Sequence, residues 1–403
     1  MKFLRDALDK VKPNFEKGGK WEKFYFIYEA HETLLFAPNH TTNTRGVQIR
    51  DAIDMKRMMM TVIISMLPCL IFGMWNVGYQ HFLAMGQPAD MSTLDMWLIG
   101  LQRVVPILIV SYGTGLTVEF TFATIRRHPV NEGFLVTGML IPLVMPPTIP
   151  LWQVALATVF AVIIAKEAFG GTGMNVLNVA LTARAFLYFA YPSQISGEVW
   201  TYIGNGEAVA GYSGATPLSI GAETLENGKN VVQSMAGFGS SWLQGTDLFQ
   251  FTNMFIGIMP GSIGETSTLM CLIGAAILVL TGVGSWKVIV SVFAGAYGMG
   301  LLLTAIGLNE FMLMPAHYHL VIGGLAFGAV FMASDPVTAA QTEAGKWIYG
   351  LLIGVLTVII RVLNPAYPEG IMLAILFMNV FAPLIDYYVV GANKKRRLQR
   401  ATV

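Results

Sequence analysis

The chain has 403 residues, of which 54% are apolar and 12% charged, and its mean hydropathy is +0.59. Soluble domains carry about 25% charged residues, so this composition excludes a set of soluble domains and indicates an integral membrane protein. The 25 Lys and Arg residues nearly balance the 24 Asp and Glu residues, which leaves a formal net charge of +1. No overall basic field is therefore available to bind nucleic acid.

The two cysteines, Cys69 and Cys271, are remote in sequence, lie in apolar runs and show no C-x-x-C spacing. A disulfide framework, a thiolate zinc site and a four-cysteine iron–sulfur cluster within this chain are accordingly not expected. We expect no tightly bound metal.

Basic residues concentrate at the two ends of the chain. Residues 1–57 contain eleven Lys and Arg and residues 391–403 contain five, whereas the 333 residues between them contain nine. Because basic residues favour the cytoplasmic side of a membrane, both termini are predicted to be cytoplasmic. The N-terminal segment lacks the apolar core of a cleavable signal peptide. Its residues 21–29 mix aromatic and charged side chains, which is typical of a helix at the membrane interface.

Ten apolar segments predict membrane spans, five on either side of a long polar stretch. The first five lie near residues 58–78, 98–125, 133–147, 151–165 and 174–191. Prolines interrupt the third, and the short segments there fit either half-helices or complete spans. The second five lie near residues 264–285, 288–307, 318–334, 347–363 and 371–389. Two sets of five that start from opposite sides predict two inverted five-helix repeats.

The predicted fold class is therefore an all-α integral membrane protein with about ten transmembrane helices, some of them broken into half-helices. Its parts are a cytoplasmic N-terminal segment, a first five-helix repeat, an external Gly- and Ser-rich loop or domain, a second repeat and a basic cytoplasmic tail, at residues 1–57, 58–191, 192–250, 251–390 and 391–403. Lys229 is the single basic residue of the external part, in agreement with that predicted position.

Charged side chains within or beside the predicted spans are few, and each costs roughly 2.5–3.5 kcal/mol at bilayer depth unless it is paired or functional. They are Arg103, Glu119, Lys166 with Glu167, Arg184, Asp335, Arg361 and Asp386. Ion pairing or snorkelling is the simpler interpretation of Arg103, Arg361 and the Lys166–Glu167 pair. Glu119 and Asp386 lie inside spans near a basic end, where an entering cation could exchange water for carboxylate oxygens. A structural role for these two carboxylates is equally open.

Two glycine clusters lead directly into predicted spans. Gly170 to Gly173 precedes Asn175 and Asn178, and Gly261 to Gly264 precedes Glu265. Backbone N–H groups left free at such a point suit an anionic or polar ligand. Asn175 and Asn178, three residues apart on one predicted helix face, offer the donors and acceptors that a flavin-like edge requires. Helix capping by the asparagines and close helix contacts at the glycines are the alternatives.

The external stretch contains Ser213-Gly214-Ala215-Thr216, a small turn that carries hydroxyl groups. By itself this turn predicts only a loop. No Ser, His and Asp set accompanies it, and no phosphate-binding or dinucleotide-binding glycine motif follows a soluble strand. A soluble-type NADH site is therefore not expected in this chain.

Six motifs, in order along the chain, resemble those of the NqrB family, the flavin-carrying membrane subunits of the Na+-translocating NADH:quinone oxidoreductases. They are residues 15–20 (FEKGGK), 128–134 (HPVNEGF), 165–173 (AKEAFGGTG), 211–216 (GYSGAT), 260–265 (PGSIGE) and 364–370 (NPAYPEG). The related RnfD subunit of the Rnf-type electron-transfer complexes also resembles the chain, but without its long N-terminal segment. Residues 1–57 therefore favour the quinone reductase.

The resemblance implies two flavins. A flavin transferase joins FMN through a phosphodiester to the threonine of the family's Ser-Gly-Ala-Thr element, which is Thr216 here. A non-covalent riboflavin is implied at the first glycine cluster and its neighbours, namely Gly171, Thr172, Asn175, Asn178 and Asp335.

The resemblance also implies a ubiquinone site and a cation pathway. The quinone-site positions correspond to Gly115, Leu116, Glu119, Phe186 and Tyr188, with Leu116 in place of a glycine of the family. The cation-pathway positions correspond to Glu29, Glu119 and Asp386.

The implied function is that of a translocase subunit, in an NADH:ubiquinone reductase that exports Na+ across the bacterial inner membrane. Electrons would pass from an FMN-bearing neighbouring subunit to FMN on Thr216, then to riboflavin and then to ubiquinone. The implied partners are the other subunits of a six-subunit membrane complex, membrane iron–sulfur subunits among them, the flavin transferase and membrane lipid. Two alternatives stay open: the Rnf-type subunit, with the same flavin but no quinone reduction, and a secondary transporter, with no covalent flavin.

Overall fold

The computed structural model describes residues 2–16, 18–36, 46, 55–87, 91–127, 133–204, 206–239, 248–364 and 367–401. These residues form helices and connecting turns, with no strand among them, so the expected all-helical fold class is confirmed. The helices are α1 (Lys2–Val11), α2 (Tyr25–Leu35), α3 (Met55–Ala84), α4 (Thr93–Arg126), α5 (Gly133–Leu143), α6 (Leu151–Ala161), α7 (Val179–Ala190), α8 (Pro217–Asn227), α9 (Val231–Ala236), α10 (Phe251–Ile256), α11 (Thr268–Leu280), α12 (Trp286–Ile306), α13 (Tyr318–Val321), α14 (Leu325–Phe327), α15 (Glu343–Leu363) and α16 (Ile371–Ala401). Residues 128–132 and 365–366, parts of two motifs quoted above, lie outside the described residues.

Within the described residues, six helical segments are long and apolar enough to cross a membrane. They are α3, α4, α12, α15, α16 and the continuous segment Leu151–Phe169, which begins with α6. About 20 residues, each rising 1.5 Å, are needed to cross an apolar core roughly 30 Å thick. These segments place the chain among multi-pass membrane proteins.

The other four predicted spans are short or broken. α5, α7 and α11 contain 11, 12 and 13 residues, too few for each to cross alone. The predicted span 318–334 divides into α13, α14 and a π-helical segment, Gly328–Met332. Half-helices are thus present, whereas the count of ten crossings and the inverted repeat stay predictions.

The break after α5 shows how such irregular backbone is stabilised. Three prolines within residues 146–150 cannot donate an N–H group to a continuing helix. The loop before α11 supplies partners instead: the N–H of Ile263 donates to the carbonyl of Met145 (3.1 Å), and that of Gly264 to the carbonyl of Leu143 (2.7 Å). Two broken regions therefore satisfy each other's backbone groups inside the protein, as a membrane environment requires.

α3 and α11 run antiparallel in close contact. A Cβ on Gly274 would lie 2.5 Å from the carbonyl oxygen of Ser65, so the helices could not approach this closely with a larger residue there. The contact brings together the two cysteines that are remote in sequence. The Sγ atoms of Cys69 and Cys271 lie 3.8 Å apart, as buried free thiols.

The described part of the stretch expected to be an external loop or domain includes the helices α8 and α9. Thr216 caps the N-terminus of α8, Pro217 occupies its first position and Gly228 follows its end, a favourable combination for a short helix. Leu218 and Ile220 are buried in an apolar cluster with side chains of α10, α12 and α15. This packing fixes Thr216 against the membrane helices.

The N-terminal segment is folded as well. The aromatic stretch forms a short 3-10 turn, Glu22–Phe24, followed by α2, which packs against α4. The hydroxyl of Tyr28 donates to the carbonyl of Leu8 in α1 (3.1 Å), and its ring stacks on Phe15 with centroids 5.3 Å apart. Burial also raises the pKa of Tyr28 above its ordinary value. The segment thus docks beside the membrane helices.

Candidate functional site

One cavity lies where α3, α5 and the end of α11 meet two loops, residues 172–178 and 334–337. It encloses about 870 Å³ of empty space, including the part open to solvent. We call it the asparagine cavity. Four of the five predicted riboflavin residues line it, namely Thr172, Asn175, Asn178 and Asp335, and Gly171 does not.

The two asparagines play different local roles. Their expected common helix face is wrong, because glycines with positive φ turn the chain before α7, which begins only at Val179. Asn178 is the N-cap of α7, and its Oδ1 accepts a hydrogen bond from the N–H of Leu181 (3.1 Å). Asn175 lies in the preceding loop and donates to the carbonyl of Leu177 (3.2 Å). The capping interpretation therefore applies to Asn178 alone.

Two further polar groups of the asparagine cavity lie in its loops. The Thr172 hydroxyl is buried without a hydrogen-bond partner, a state that costs roughly 1–3 kcal/mol and is relieved by a polar ligand. Asp335 accepts hydrogen bonds from the N–H of Val337 (3.0 Å) and the hydroxyl of Thr338 (3.1 Å). Asp335 thereby shapes the turn that forms one wall.

A buried ion pair lies at the edge of the asparagine cavity. Lys166, which lines the cavity, pairs with Glu119 of α4. Its sequence neighbour Glu167 pairs instead with Arg126, at 3.0 Å between Nη1 and Oε2. The ion-pairing interpretation of Lys166 and Glu167 is therefore confirmed, with a different residue of α4 as the partner of each because successive residues of a helix point in different directions.

The five predicted quinone-site residues separate into two groups: Gly115, Leu116 and Glu119 on α4, and Phe186 and Tyr188 on α7. A Cβ on Gly115 would lie 1.8 Å from the Phe134 ring, so this glycine allows α5 to approach α4. Phe186 stacks on Phe160, with ring centroids 4.4 Å apart. Phe160 precedes Lys166 by six residues, about 9 Å along the helical segment. Phe186 and Glu119 therefore contact the segment Leu151–Phe169 at two different heights along its axis.

The predicted cation-pathway carboxylates lie in three different environments. Glu29 is half-buried on α2, and Glu119 is paired with Lys166. Asp386, half-buried on α16, accepts hydrogen bonds from Gln341 and Thr342, the two residues directly before α15. Protein donors thus already engage Glu119 and Asp386.

A second cavity, with about 370 Å³ of empty space, adjoins Thr216. Its walls come from residues 259–262 and 265–266, the Gly323-Gly324 pair, Glu369 and Trp200. We call it the threonine cavity. The Oγ1 atom of Thr216, the predicted FMN attachment point, accepts a hydrogen bond from the N–H of Ser219 at the start of α8 (3.2 Å).

Two carboxylates of the threonine cavity share one arginine. Arg184 of α7, which is 3% exposed, pairs with Glu265 (2.7 Å) and with Glu369. The hydroxyl of Ser262 is buried in the same wall without a hydrogen-bond partner. Outside the membrane helices, burial raises the pKa of Tyr212 to about 12, so this neighbour of the Ser213–Thr216 turn stays neutral.

Arg361 organises the backbone behind the threonine cavity. It is fully buried and donates to the carbonyl oxygens of His319 (2.6 Å), Ile322 (2.9 Å) and Glu369 (3.1 Å). The expectation of an ion pair or snorkelling is wrong for Arg361, because carbonyl groups at the C-terminal end of α13 and in the turn before α16 accept its hydrogen bonds. Arg103 differs again, since its guanidinium lies 3.4 Å from the centroid of the Tyr202 ring.

Sequence reasoning missed Glu369. This residue lies between two predicted spans, where a carboxylate carries no burial cost and attracts no attention. The available signal was its place in the motif of residues 364–370, directly before Gly370, whose φ is +72°. The motif turns the chain inwards and brings Glu369 to Arg184.

Comparison with known proteins gives a consistent result. Residues 42–395 match the model of the NQR2, RnfD, RnfE family. The chain is 47% identical to the NqrB subunit of the Na+-translocating NADH-quinone reductase of Ectopseudomonas mendocina and 48% identical to that of Stutzerimonas stutzeri, each over 98% of this chain and 99% of the relative. The protein of the same name from Chromohalobacter salexigens is 47% identical over 98% of this chain and 96% of the relative. Alignments that cover 98% of the chain include most of the N-terminal segment.

Proposed function

The chain belongs to the NQR2, RnfD, RnfE family, and on this premise we propose that it is the flavin-bearing membrane subunit of a Na+-translocating NADH–quinone reductase. The observation that carries the proposal is the position of Thr216, at a helix N-terminus beside a cavity with buried polar walls. The match to NqrB relatives through the N-terminal segment favours the quinone reductase over the Rnf-type complex.

The surroundings of Thr216 suit a phosphodiester. The N-terminus of α8 presents backbone N–H groups and the positive end of a helix dipole, which stabilise an attached phosphate. The N–H of Ser219, which donates to Oγ1, is one donor that phosphate oxygens could use. Ser262 and Glu265 supply polar groups to the adjoining cavity. Thr216 would thus hold covalent FMN at the threonine cavity.

The asparagine cavity suits a non-covalent riboflavin. Apolar walls with a few polar groups are typical of small-molecule sites. The unpartnered hydroxyl of Thr172, the amides of Asn175 and Asn178 and the carboxyl of Asp335 would hold the ligand, while Gly171 shapes the loop. A bound flavin supplies one- and two-electron transfer.

The chain's own contribution is a fixed separation of the two cavities. The threonine cavity includes Thr266, just before α11, and the asparagine cavity includes Leu278, near the end of α11. The helical part of this stretch, from Thr268 to Leu278, rises about 15 Å. Helix α11 would therefore act as a rigid spacer between two flavins.

The wider proposal covers the assembly. Electrons would leave for ubiquinone, with Gly115, Leu116, Glu119, Phe186 and Tyr188 as the proposed quinone residues, and electron transfer would drive Na+ export. The chain would cross the bacterial inner membrane ten times as two inverted repeats, with both termini cytoplasmic. The third span of each half is short or broken, which supports the repeat. Partners would be the other subunits of a six-subunit complex and a flavin transferase.

A secondary transporter is the second candidate. Broken helices around buried cavities are found in such proteins as well. This candidate predicts neither a covalent flavin nor a need for partner subunits.

The test is in-gel flavin fluorescence of the denatured chain, expressed together with its flavin transferase. Wild type should fluoresce, and Thr216→Ala should abolish the signal completely. Ser213→Ala is the matched control, because it removes a hydroxyl from the same turn and should keep the fluorescence. Absence of fluorescence in wild type, with the transferase active on a control substrate, would favour the transporter.

A further inference from the structure

Asp386 joins α16 to the start of α15. Its Oδ2 atom accepts a hydrogen bond from the N–H of Gln341 (2.7 Å). Its Oδ1 atom accepts two more, from the N–H of Thr342 (3.0 Å) and from the Thr342 hydroxyl (2.5 Å). Thr342 is also the N-cap of α15, where its Oγ1 accepts a hydrogen bond from the N–H of Gly345 (3.1 Å). The carboxylate therefore completes the cap of a 21-residue helix.

The same hydrogen bonds continue to the wall of the asparagine cavity. The side-chain amide of Gln341 donates to the carbonyl groups of Pro336 (2.7 Å) and Ala339 (2.9 Å). Pro336 lines the cavity together with Asp335 and Val337. A continuous set of bonds thus runs from Asp386 through Gln341 to the loop that carries Asp335.

We propose that Asp386 is a positioning residue, which holds the loop 335–342 in place as one wall of the asparagine cavity. The proposal rests on the proposed function only for the identity of the molecule that the cavity binds. It replaces the expectation that Asp386 is a cation ligand, which would require free carboxylate lone pairs.

The geometry argues against direct cation binding at Asp386. A carboxylate has about four lone-pair sites, and three protein donors occupy sites on both oxygens here. Each donor points the positive end of its dipole at the place where a cation would sit. A cation would therefore find about one lone-pair site left and would face three donor dipoles, unless the N-terminus of α15 moved away.

Two variants separate the two roles. Asp386→Asn removes the charge and leaves one of the backbone donors without an acceptor. Thr342→Val leaves the carboxylate intact but removes the hydroxyl that links it to the helix cap. Glu343→Gln is the matched control, because Glu343 is an exposed carboxylate at the same helix end, paired with Lys287 and Lys346.

The first measurement compares two amounts of flavin. The non-covalent flavin is released when the purified complex is denatured, and the covalent flavin stays on the chain in a gel. After equal washing, the Asp386→Asn and Thr342→Val complexes should each contain about fivefold less non-covalent flavin than wild type. This factor corresponds to about 1 kcal/mol, the usual size of a lost helix cap. Glu343→Gln should match wild type. The proposal would be overturned if Thr342→Val kept the wild-type amount of non-covalent flavin and only Asp386→Asn needed more Na+ for turnover. Asp386 would then be a cation ligand.

The second measurement does not depend on any flavin. Val337 is half-buried in the loop, so a Val337→Cys variant reports loop opening through its rate of maleimide labelling, against a background of buried native thiols. Adding Asp386→Asn or Thr342→Val should raise that rate, and adding Glu343→Gln should not. An unchanged rate in both variants would refute the positioning role. If both variants label faster and the wild-type chain releases no flavin, the positioning role stands and the proposed riboflavin site is refuted.

Discussion

The threonine cavity and the asparagine cavity are both built where helices break, but their walls differ in charge. Arg184, Glu265 and Glu369 meet at the threonine cavity, and buried Arg361 fixes the backbone behind it. The asparagine cavity is lined mainly by apolar, amide and hydroxyl groups, with the single carboxyl of Asp335 in one wall and Lys166 paired to Glu119 at its edge. One site therefore depends on balanced buried charges and the other on loop shape.

The two cavities should therefore differ in how well they tolerate substitutions. A buried charge that loses its partner costs far more than the pair contributed, so the threonine cavity should be rigid and sensitive to single substitutions. A loop held by single hydrogen bonds, several of them to the Asp335 and Asp386 carboxylates, can adjust at about 1–3 kcal/mol for each bond lost. These tolerances suit a covalently attached ligand in the first cavity and an exchangeable ligand in the second.

The largest effect is expected for Arg184→Leu. This change leaves Glu265 and Glu369 facing each other without their shared cation, and it should lower the free energy of unfolding by about 3–5 kcal/mol. Denaturation in mixed detergent micelles measures the loss. The double variant Arg184→Met with Glu265→Leu should recover part of it, since apolar replacement of a whole buried pair is tolerated. A loss below about 1 kcal/mol, the size of an exposed pair, would mean that the charges do not make this cavity rigid.

A smaller effect is expected for Gly115→Ala, at the contact between α4 and α5. The new methyl group would meet the Phe134 ring and force α4 and α5 apart, at a cost of about 1–3 kcal/mol. Gly113→Ala is the matched control: nothing lies within 4 Å of a Cβ there, so that change should be neutral or stabilising. Thermal unfolding in detergent compares the two. Equal midpoints would contradict the close contact between α4 and α5.

The sequence predicts the membrane class, and the family resemblance implies five riboflavin residues, four of which line one cavity. Composition fixes the environment, and a glycine cluster followed by amide side chains marks a polar site inside an apolar protein. Burial cost also identifies the charged residues that matter, since Glu119, Arg184, Arg361 and Asp386 all have specific partners. These signals are local, so a single chain is enough to find them.

The partners of those charges could not be predicted from the sequence. Lys166 pairs with Glu119 across 47 residues and Arg184 with Glu265 across 81, and no local pattern encodes such contacts. The start of α7 was misplaced because positive φ at Gly171 and Gly173 depends on tertiary packing. The broken span at Gly323-Gly324 has the same origin, since a Cβ on Gly324 would lie 2.8 Å from the Glu265 carboxylate.

A third prediction compares the roles of Asn175 and Asn178 in the asparagine cavity. Asn178→Ala removes the cap of α7 and should cost about 1 kcal/mol of stability, whereas Asn175→Ala removes only a loop hydrogen bond and should cost less. Both changes should lower the amount of released flavin. Thermal unfolding and flavin release, measured on the same preparations, give the two quantities. If Asn175→Ala kept full flavin content, Asn175 would have no role in the cavity.

The smallest change in stability, and the sharpest test of the covalent site, is expected at Thr216. Serine caps helices at least as well as threonine, so Thr216→Ser should preserve stability within a few tenths of a kcal/mol and, with its hydroxyl retained, should still accept flavin. Thr216→Ala should lose about 1 kcal/mol with the cap and all of the covalent flavin. With threonine, serine or alanine at position 216, stability and flavin attachment would then vary independently. Substitution of Arg184 differs, because there the main effect is the loss of stability. If flavin attachment fell in proportion to stability, Thr216 would act through the cap and the acceptor hydroxyl would have to be sought elsewhere in the chain.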